Sequence, residues 1–273
     1  MLASFLLSLR EGLEAALILG IVLGVLNKLQ RRDLTGAVWL GAASAAAAAL
    51  LSALALNWLG MELSGRAEQI FEGAVLLFAA AVLTWMIFWM RRSAVNLKNE
   101  IEAKTHLALR GGGLFALAFL SVFREGIELA LFLLAVRQTV SPLQTIGGAA
   151  LGLFAAATLG VALFSSTRRL NLRLFFTVTN FLLIIFAAGM VGLGIHELNE
   201  AGIIPAVTEH LWNLNGVLDE KSDLGLLLKA LFGYNGNPSL TEVLGYLAYL
   251  GGIFTFLAVS RAKPSAKTAP VTG

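Results

Sequence analysis

Apolar residues run almost unbroken through seven windows of this chain: 2–26, 34–59, 70–90, 114–136, 143–165, 174–195 and 240–259. Each is near the length of about 20 residues at which an α-helix crosses roughly 30 Å of hydrocarbon. Polar segments join them at 27–33, 60–69, 91–113, 137–142 and 166–173, and a long one covers 196–239. The pattern predicts an all-α integral membrane protein of seven transmembrane helices, a single transmembrane domain over 1–260. The tail 261–273, rich in Pro, Lys and Thr, is predicted to be disordered.

Composition agrees, since 58% of the 273 residues are hydrophobic and only 14% are charged, outside the range of soluble domains. There is no cysteine, so metal chemistry must use oxygen or the three histidines, which favours hard cations. The net charge of +3 is small, and no run reads as a nucleic-acid patch. Its distribution is informative. Fourteen of the 20 Lys and Arg fall in the first, third and fifth joining segments and the tail; Arg66, Arg137, Lys221 and Lys229 fall on the other side. Because cytoplasmic loops retain positive charge, the N-terminus is expected outside and the C-terminus inside. The first window contains Arg10 and Glu11, which a secretory signal would not, so it reads as a retained helix.

Two windows are interrupted by one repeated phrase, Arg10-Glu11-Gly12-Leu13-Glu14 in the first and Arg124-Glu125-Gly126-Ile127-Glu128 in the fourth. An unpaired carboxylate in hydrocarbon costs several kcal/mol, so charged residues there mark function. Spans three apart cross in opposite directions, and the phrase therefore defines an inverted 3+3 repeat, about 2–90 and 114–195, with the seventh helix added. At 1.5 Å per residue Glu14 lies about 18 Å along its helix and Glu128 about 21 Å along its own, both near mid-bilayer. Residues three and four apart share a helix face, so Glu11, Glu14 and Arg10 project together, as do Glu125, Glu128 and Arg124. Gly12 and Gly126 let a neighbouring helix approach. If the repeats face one another, acid exceeds base and a di- or trivalent cation would restore balance. Carboxylate oxygens suit Fe(III), Mg, Ca or Mn, and admit Fe(II). Arg10 and Arg124 would balance the empty site. A purely structural ion pair has no need to duplicate an excess of acid.

Three outer features are weaker. Glu68 and Glu72, one turn apart at the start of the third span with Glu62 before them, are a candidate receiving site for a cation; the macrodipole alone would favour acid there. The corresponding start of the sixth span, Phe176-Thr177-Val178, has no carboxylate. His196-Glu197-Leu198-Asn199-Glu200 resembles half of a zinc-protease phrase, but Glu200 replaces the second histidine, leaving a possible external metal site at His196, Glu197 and Glu200 or a solvated helix end. The stretch 203–232 alternates apolar and polar residues, predicting one or two amphipathic surface helices. His106 reads as a surface residue, and Trp58, Trp85, Trp89 and Trp212 as members of the aromatic belts.

The paired phrase, with Phe71-Glu72-Gly73, Leu83-Thr84-Trp85-Met86 and Phe232-Gly233-Tyr234, resembles the high-affinity iron permease family, most closely its bacterial branch, over nearly the whole chain. The resemblance implies a bacterial inner-membrane permease that moves Fe(II) or Fe(III) through Glu11, Glu14, Glu125 and Glu128, with Glu72 also implicated. It implies iron as transported substrate and no permanently bound cofactor. Bacterial members work with periplasmic iron-binding and haem-peroxidase proteins, fungal ones with a copper oxidase. Two other readings remain at this stage. One is a transporter or channel for another hard cation such as Mn(II), or for protons. The other is a di-iron membrane enzyme, disfavoured because no histidine falls near the midplane.

Overall fold

In a computed structural model the chain is all helical among the described residues, which are 1–61, 63–93, 97–109, 113–138, 140–165, 172–220 and 222–262. The helices are α1 (Leu2–Lys28), α2 (Thr35–Met61), α3 (Arg66–Ser93), α4 (Leu97–Ala108), α5 (Leu114–Arg137), α6 (Pro142–Ser165), α7 (Leu172–Glu200), α8 (Asp223–Phe232) and α9 (Leu240–Ala262). Five of them, α2, α3, α6, α7 and α9, are long and apolar enough to cross a membrane. The remaining long helices, α1 and α5, carry the repeated phrase and its three charges each. Most of the tail, Glu62, and Arg110, Arg168, Arg169 and Lys221 from the charge count lie outside the described residues.

Helix α1 packs chiefly on α6, α5 on α2, and α3 on α7, with α9 against α7. The glycine contacts give the directions. Gly148 meets Met1 and Gly152 meets Phe5, so α1 and α6 run parallel; Gly41 meets Phe115 and Gly126 meets Ala49, so α2 and α5 run parallel too. Gly73 lies against Leu198 and Gly194 against Leu77, which makes α3 and α7 antiparallel. Thr84 pairs with Tyr249 and Phe88 with Phe256, so α9 runs with α3.

The contacts of α1 with α6 repeat in those of α5 with α2 at the same register. Met1 precedes Arg10 by as many residues as Phe115 precedes Arg124, and Gly148 precedes Ala156 by as many as Gly41 precedes Ala49. Both pairs are built on small residues because only a missing side chain lets helix backbones approach this closely without water to drive them together.

Two local elements differ from the sequence reading. The joining segment 91–113 contains α4, whose Ile101 and Thr105, one turn apart, are buried while the exposed pair Lys104 and Glu100 closes at 2.6 Å. The stretch 203–232 forms one helix, within the one or two expected. Helix α8 is N-capped by Ser222, whose Oγ accepts from the Gly225 N–H at 3.0 Å, and ends on left-handed Gly233. The preceding residues fold back, Leu211 N–H donating to Pro238 O and Leu214 N–H to Gly236 O, which uses their backbone groups outside any helix. Helix α7 also runs past its predicted end, because nothing breaks it before left-handed Gly202.

Candidate metal-transport site

The repeated phrase lies on the buried faces of α1 and α5, which meet near the centre of the bundle. Gly12 and Gly126 bring α6 and α2 close behind it: a Cβ at Gly12 would stand 2.7 Å from the Ala156 methyl, and one at Gly126 would stand 2.5 Å from that of Ala49. With the backs of α1 and α5 closed, their glutamates face one another.

Arg10 bridges both acids of its own helix, Nη1 standing 3.1 Å from Glu11 Oε1 and Nη2 3.2 Å from Glu14 Oε1. Its Nη1 also donates to Met86 Sδ of α3 at 3.1 Å. Arg124 binds its helix partner at one atom, Nε to Glu128 Oε1 at 3.0 Å, with Glu125 Oε1 further off at 3.9 Å. Its guanidinium carbon lies 4.4 Å from the centre of the Trp89 ring. The sequence named Met86 only within the phrase Leu83-Thr84-Trp85-Met86, without a role, and assigned Trp89 to the aromatic belt; Trp58 and Trp85 are both 60% exposed. Chain order carried no signal linking α3 to the arginines.

Three of the four expected carboxylates converge: Glu11, Glu14 and Glu125 each offer an oxygen within 4.8 Å of the other two, and all three are buried. Glu128 is held by Arg124 instead. Glu11 Oε2, Glu125 Oε2 and Glu128 Oε2 are buried without a hydrogen-bond partner. A buried oxygen left in that state costs about 1–3 kcal/mol or more when charged, and a hard cation among these atoms would satisfy several at once. The donor set therefore fits a divalent metal as cargo.

Further out, the α3–α7 crossing gathers residues that looked separate in the sequence. Gly73 beside Leu198 brings neighbouring Glu72 and Glu197 within electrostatic range, with Glu68 and Arg137 also near Glu72. Gln69 Nε2 donates to Glu200 Oε2 at 3.0 Å. His196 is flanked, Nε2 lying 3.4 Å from Glu200 Oε1 and Nδ1 3.4 Å from Glu242 Oε2. Glu242, on α9, is buried and also accepts from Asn235 Nδ2 at 3.1 Å. It was not singled out from the sequence, where it sits at the start of the last span like an ordinary first-turn acid. Both ring nitrogens of His196 thus face carboxylates, and with Glu68, Glu72, Glu197 and Glu200 they make this end of the α3–α7 pair strongly acidic.

A helical membrane protein whose interior holds a cluster of facing, underligated carboxylates is a cation transporter in its architecture. The chain matches the family described as "Iron permease FTR1 family" over residues 1–262, and it belongs to that family. It is 37% identical over 255 residues to the "Ferrous iron permease EfeU" of Escherichia coli O157:H7, covering 92% of each chain. Identity to the protein of the same name in Yersinia pestis is 35% over 255 residues, 92% of this chain and 90% of that one. No solved structure matches the chain. It is a multi-pass membrane protein of a family of iron transporters.

Proposed function

We propose that this protein carries iron inward across the bacterial inner membrane, and that the cation passes through the carboxylates of the repeated phrase. The observation that carries this reading is the convergence of Glu11, Glu14 and Glu125, contributed by two copies of one phrase, in a chain of the iron permease family. Glu128 is the fourth member, released to the cation when Arg124 moves off it. Transfer proceeds by carboxylate exchange, one glutamate pair binding as the other lets go. Arg10 and Arg124 keep the empty site near neutrality and compete with the metal, so binding stays weak enough to release.

The relatives are named for ferrous iron, and Fe(II) is the cargo we favour. A divalent ion leaves a carboxylate set more readily than Fe(III) would. The topology in this reading is seven spans, N-terminus outside and C-terminus inside, with inverted repeats of about 2–90 and 114–195 and α9 added. Its support is that α1 runs parallel to α6 and α2 to α5, while α3 opposes α7, as strictly alternating crossings require. Glu72 and Glu68, joined by Glu197, receive the cation outside, where His196 and Glu200 complete the acidic mouth. Periplasmic iron-binding and haem-peroxidase proteins are the partners expected at that mouth, and no resident cofactor is needed.

The test is uptake of isotopic iron by purified protein in liposomes, supplied as Fe(II) or Fe(III). Glu14→Gln and Glu128→Gln, inserted at wild-type levels, should lose most uptake; normal rates in both would sink the proposal. A preference for Mn(II) over Fe(II) would transfer the mechanism to another cargo.

A further inference from the structure

The two phrases are chemically alike, yet their arginines are placed differently. The Arg10 side chain is 0% exposed and that of Arg124 is 38% exposed, while all four glutamates are buried. Arg124 is thus the one charge of the six that reaches the surface. Arg10 is tied to Glu11, Glu14 and Met86. Arg124 is tied to Glu128 and the face of Trp89, and its Nη2 is buried without a hydrogen-bond partner. Met86 and Trp89 lie three apart on α3, hence on one helix face. This helix is what makes two equivalent phrases unequal.

Arg124 lies about 15 Å from the start of α5 at 1.5 Å per residue, deep in the bundle. A guanidinium facing lipid at that depth is costly, so the 38% of its side chain left uncovered is read as bordering water. The charge distribution places the start of α5 on the inner side. On the opposite side of the cluster the route is shut. Ser4, Leu7, Ser8 and Arg10 have no exposed surface, and α6 seats its Gly148 and Gly152 directly against α1 there.

We propose that Trp89 and Arg124 form the inner gate of the permeation path. The indole face holds the guanidinium over Glu128, and iron leaves inward when that arm swings away. Trp89 is a positioning residue, acting through Arg124 and not touching the cation. The proposal rests on the reading that iron passes through the carboxylate cluster. Loss of a partly desolvated cation–π contact should lower the occupancy of the closed arm roughly 3- to 30-fold.

The experiment measures flux of isotopic Fe(II) down its gradient in liposomes, together with equilibrium Fe(II) binding and the thermal midpoint of each purified variant. Trp89→Leu should raise passive flux roughly 3- to 30-fold and, by freeing Glu128 from Arg124, tighten Fe(II) binding rather than weaken it, and Trp89→Phe, which keeps a ring face, should stay closer to wild type. Wild-type flux in Trp89→Leu overturns the gate. So does an equal change in both variants accompanied by a lowered midpoint, which would mark Trp89 as packing. Glu14→Gln in the Trp89→Leu background separates the two claims. Loss of flux there leaves the cluster on the path, whereas retained flux shows that the underlying reading, not the gate alone, has failed.

Discussion

Gly12 of α1 lies against Ala156 of α6 so closely that a Cβ on the glycine would stand 2.7 Å from the alanine methyl. No side chain in the middle of a helix can retreat from that contact without moving the backbone. Gly12→Ala should therefore cost about 1–3 kcal/mol by overpacking, read as a lower unfolding midpoint in detergent. The double variant Gly12→Ala with Ala156→Gly, which moves the methyl across the interface, should recover most of the loss. Gly126 and Ala49 should respond in the same way, since they repeat the contact on the other half.

Arg10 neutralises two carboxylates at once, from full burial. Arg10→Gln leaves both without their cation, and removing one partner of a buried pair costs about 3–5 kcal/mol. The loss should be partly reversed by metal, because a divalent ion supplies the missing positive charge. At a concentration 100 times its dissociation constant, binding to the folded state returns about 2.7 kcal/mol. A thermal series with and without Mn(II) or Fe(II) checks this. The variant should gain more from metal than the wild type does; an equal gain would mean that Arg10 does not compete with the cation.

Asn199, next to Glu200 at the end of α7, clasps the start of α9. Its Oδ1 accepts from Ser239 Oγ at 2.8 Å and from Thr241 Oγ1 at 3.2 Å, and its Nδ2 donates to Ile204 O at 2.9 Å. Ser239 Oγ in turn accepts from the Glu242 N–H, capping α9. Asn199→Ala leaves Ile204 O without its donor and takes one acceptor from two hydroxyls that still reach each other at 3.1 Å, and should cost about 1–3 kcal/mol. The change should appear as faster proteolysis within 203–222, with the unfolding of the central helices little altered.

Much of this arrangement was legible in the sequence because the bilayer imposes a simple rule: apolar windows span, and charges within them need a reason. That rule located the helices and singled out Arg10, Glu11, Glu14, Arg124, Glu125 and Glu128. It could not rank them. That Glu125 joins Glu11 and Glu14 while Glu128 stays with Arg124 depends on how α1 and α5 meet in the folded bundle, which the order of residues along the chain does not show. The contacts of Met86 and Trp89 with the arginines were illegible for a related reason, since a methionine and a tryptophan in an apolar span look like core and belt until α3 is placed beside the arginines. Glu242 was hidden by ordinary first-turn chemistry. Its role comes from His196, on a helix it meets only in the folded bundle.

The outer mouth offers a kinetic test of division of labour. Glu72 and Glu197 come from different helices and lie within electrostatic range at the α3–α7 crossing, whereas in the proposed function the mid-membrane carboxylates bind the ion during translocation. A residue that only collects the cation contributes to loading and not to the later steps, so its loss should raise KM and leave kcat nearly unchanged. Glu72→Gln and Glu197→Gln should each raise the KM for iron uptake severalfold. Because they act on one approaching ion, the double variant should fall short of the product of the single effects, a coupling expected of neighbours and not of distant sites. Glu14→Gln should instead lower kcat. Were Glu72→Gln to lower kcat to the same extent as Glu14→Gln, Glu72 would belong to the translocation step itself, and the outer mouth would be part of the path rather than its approach.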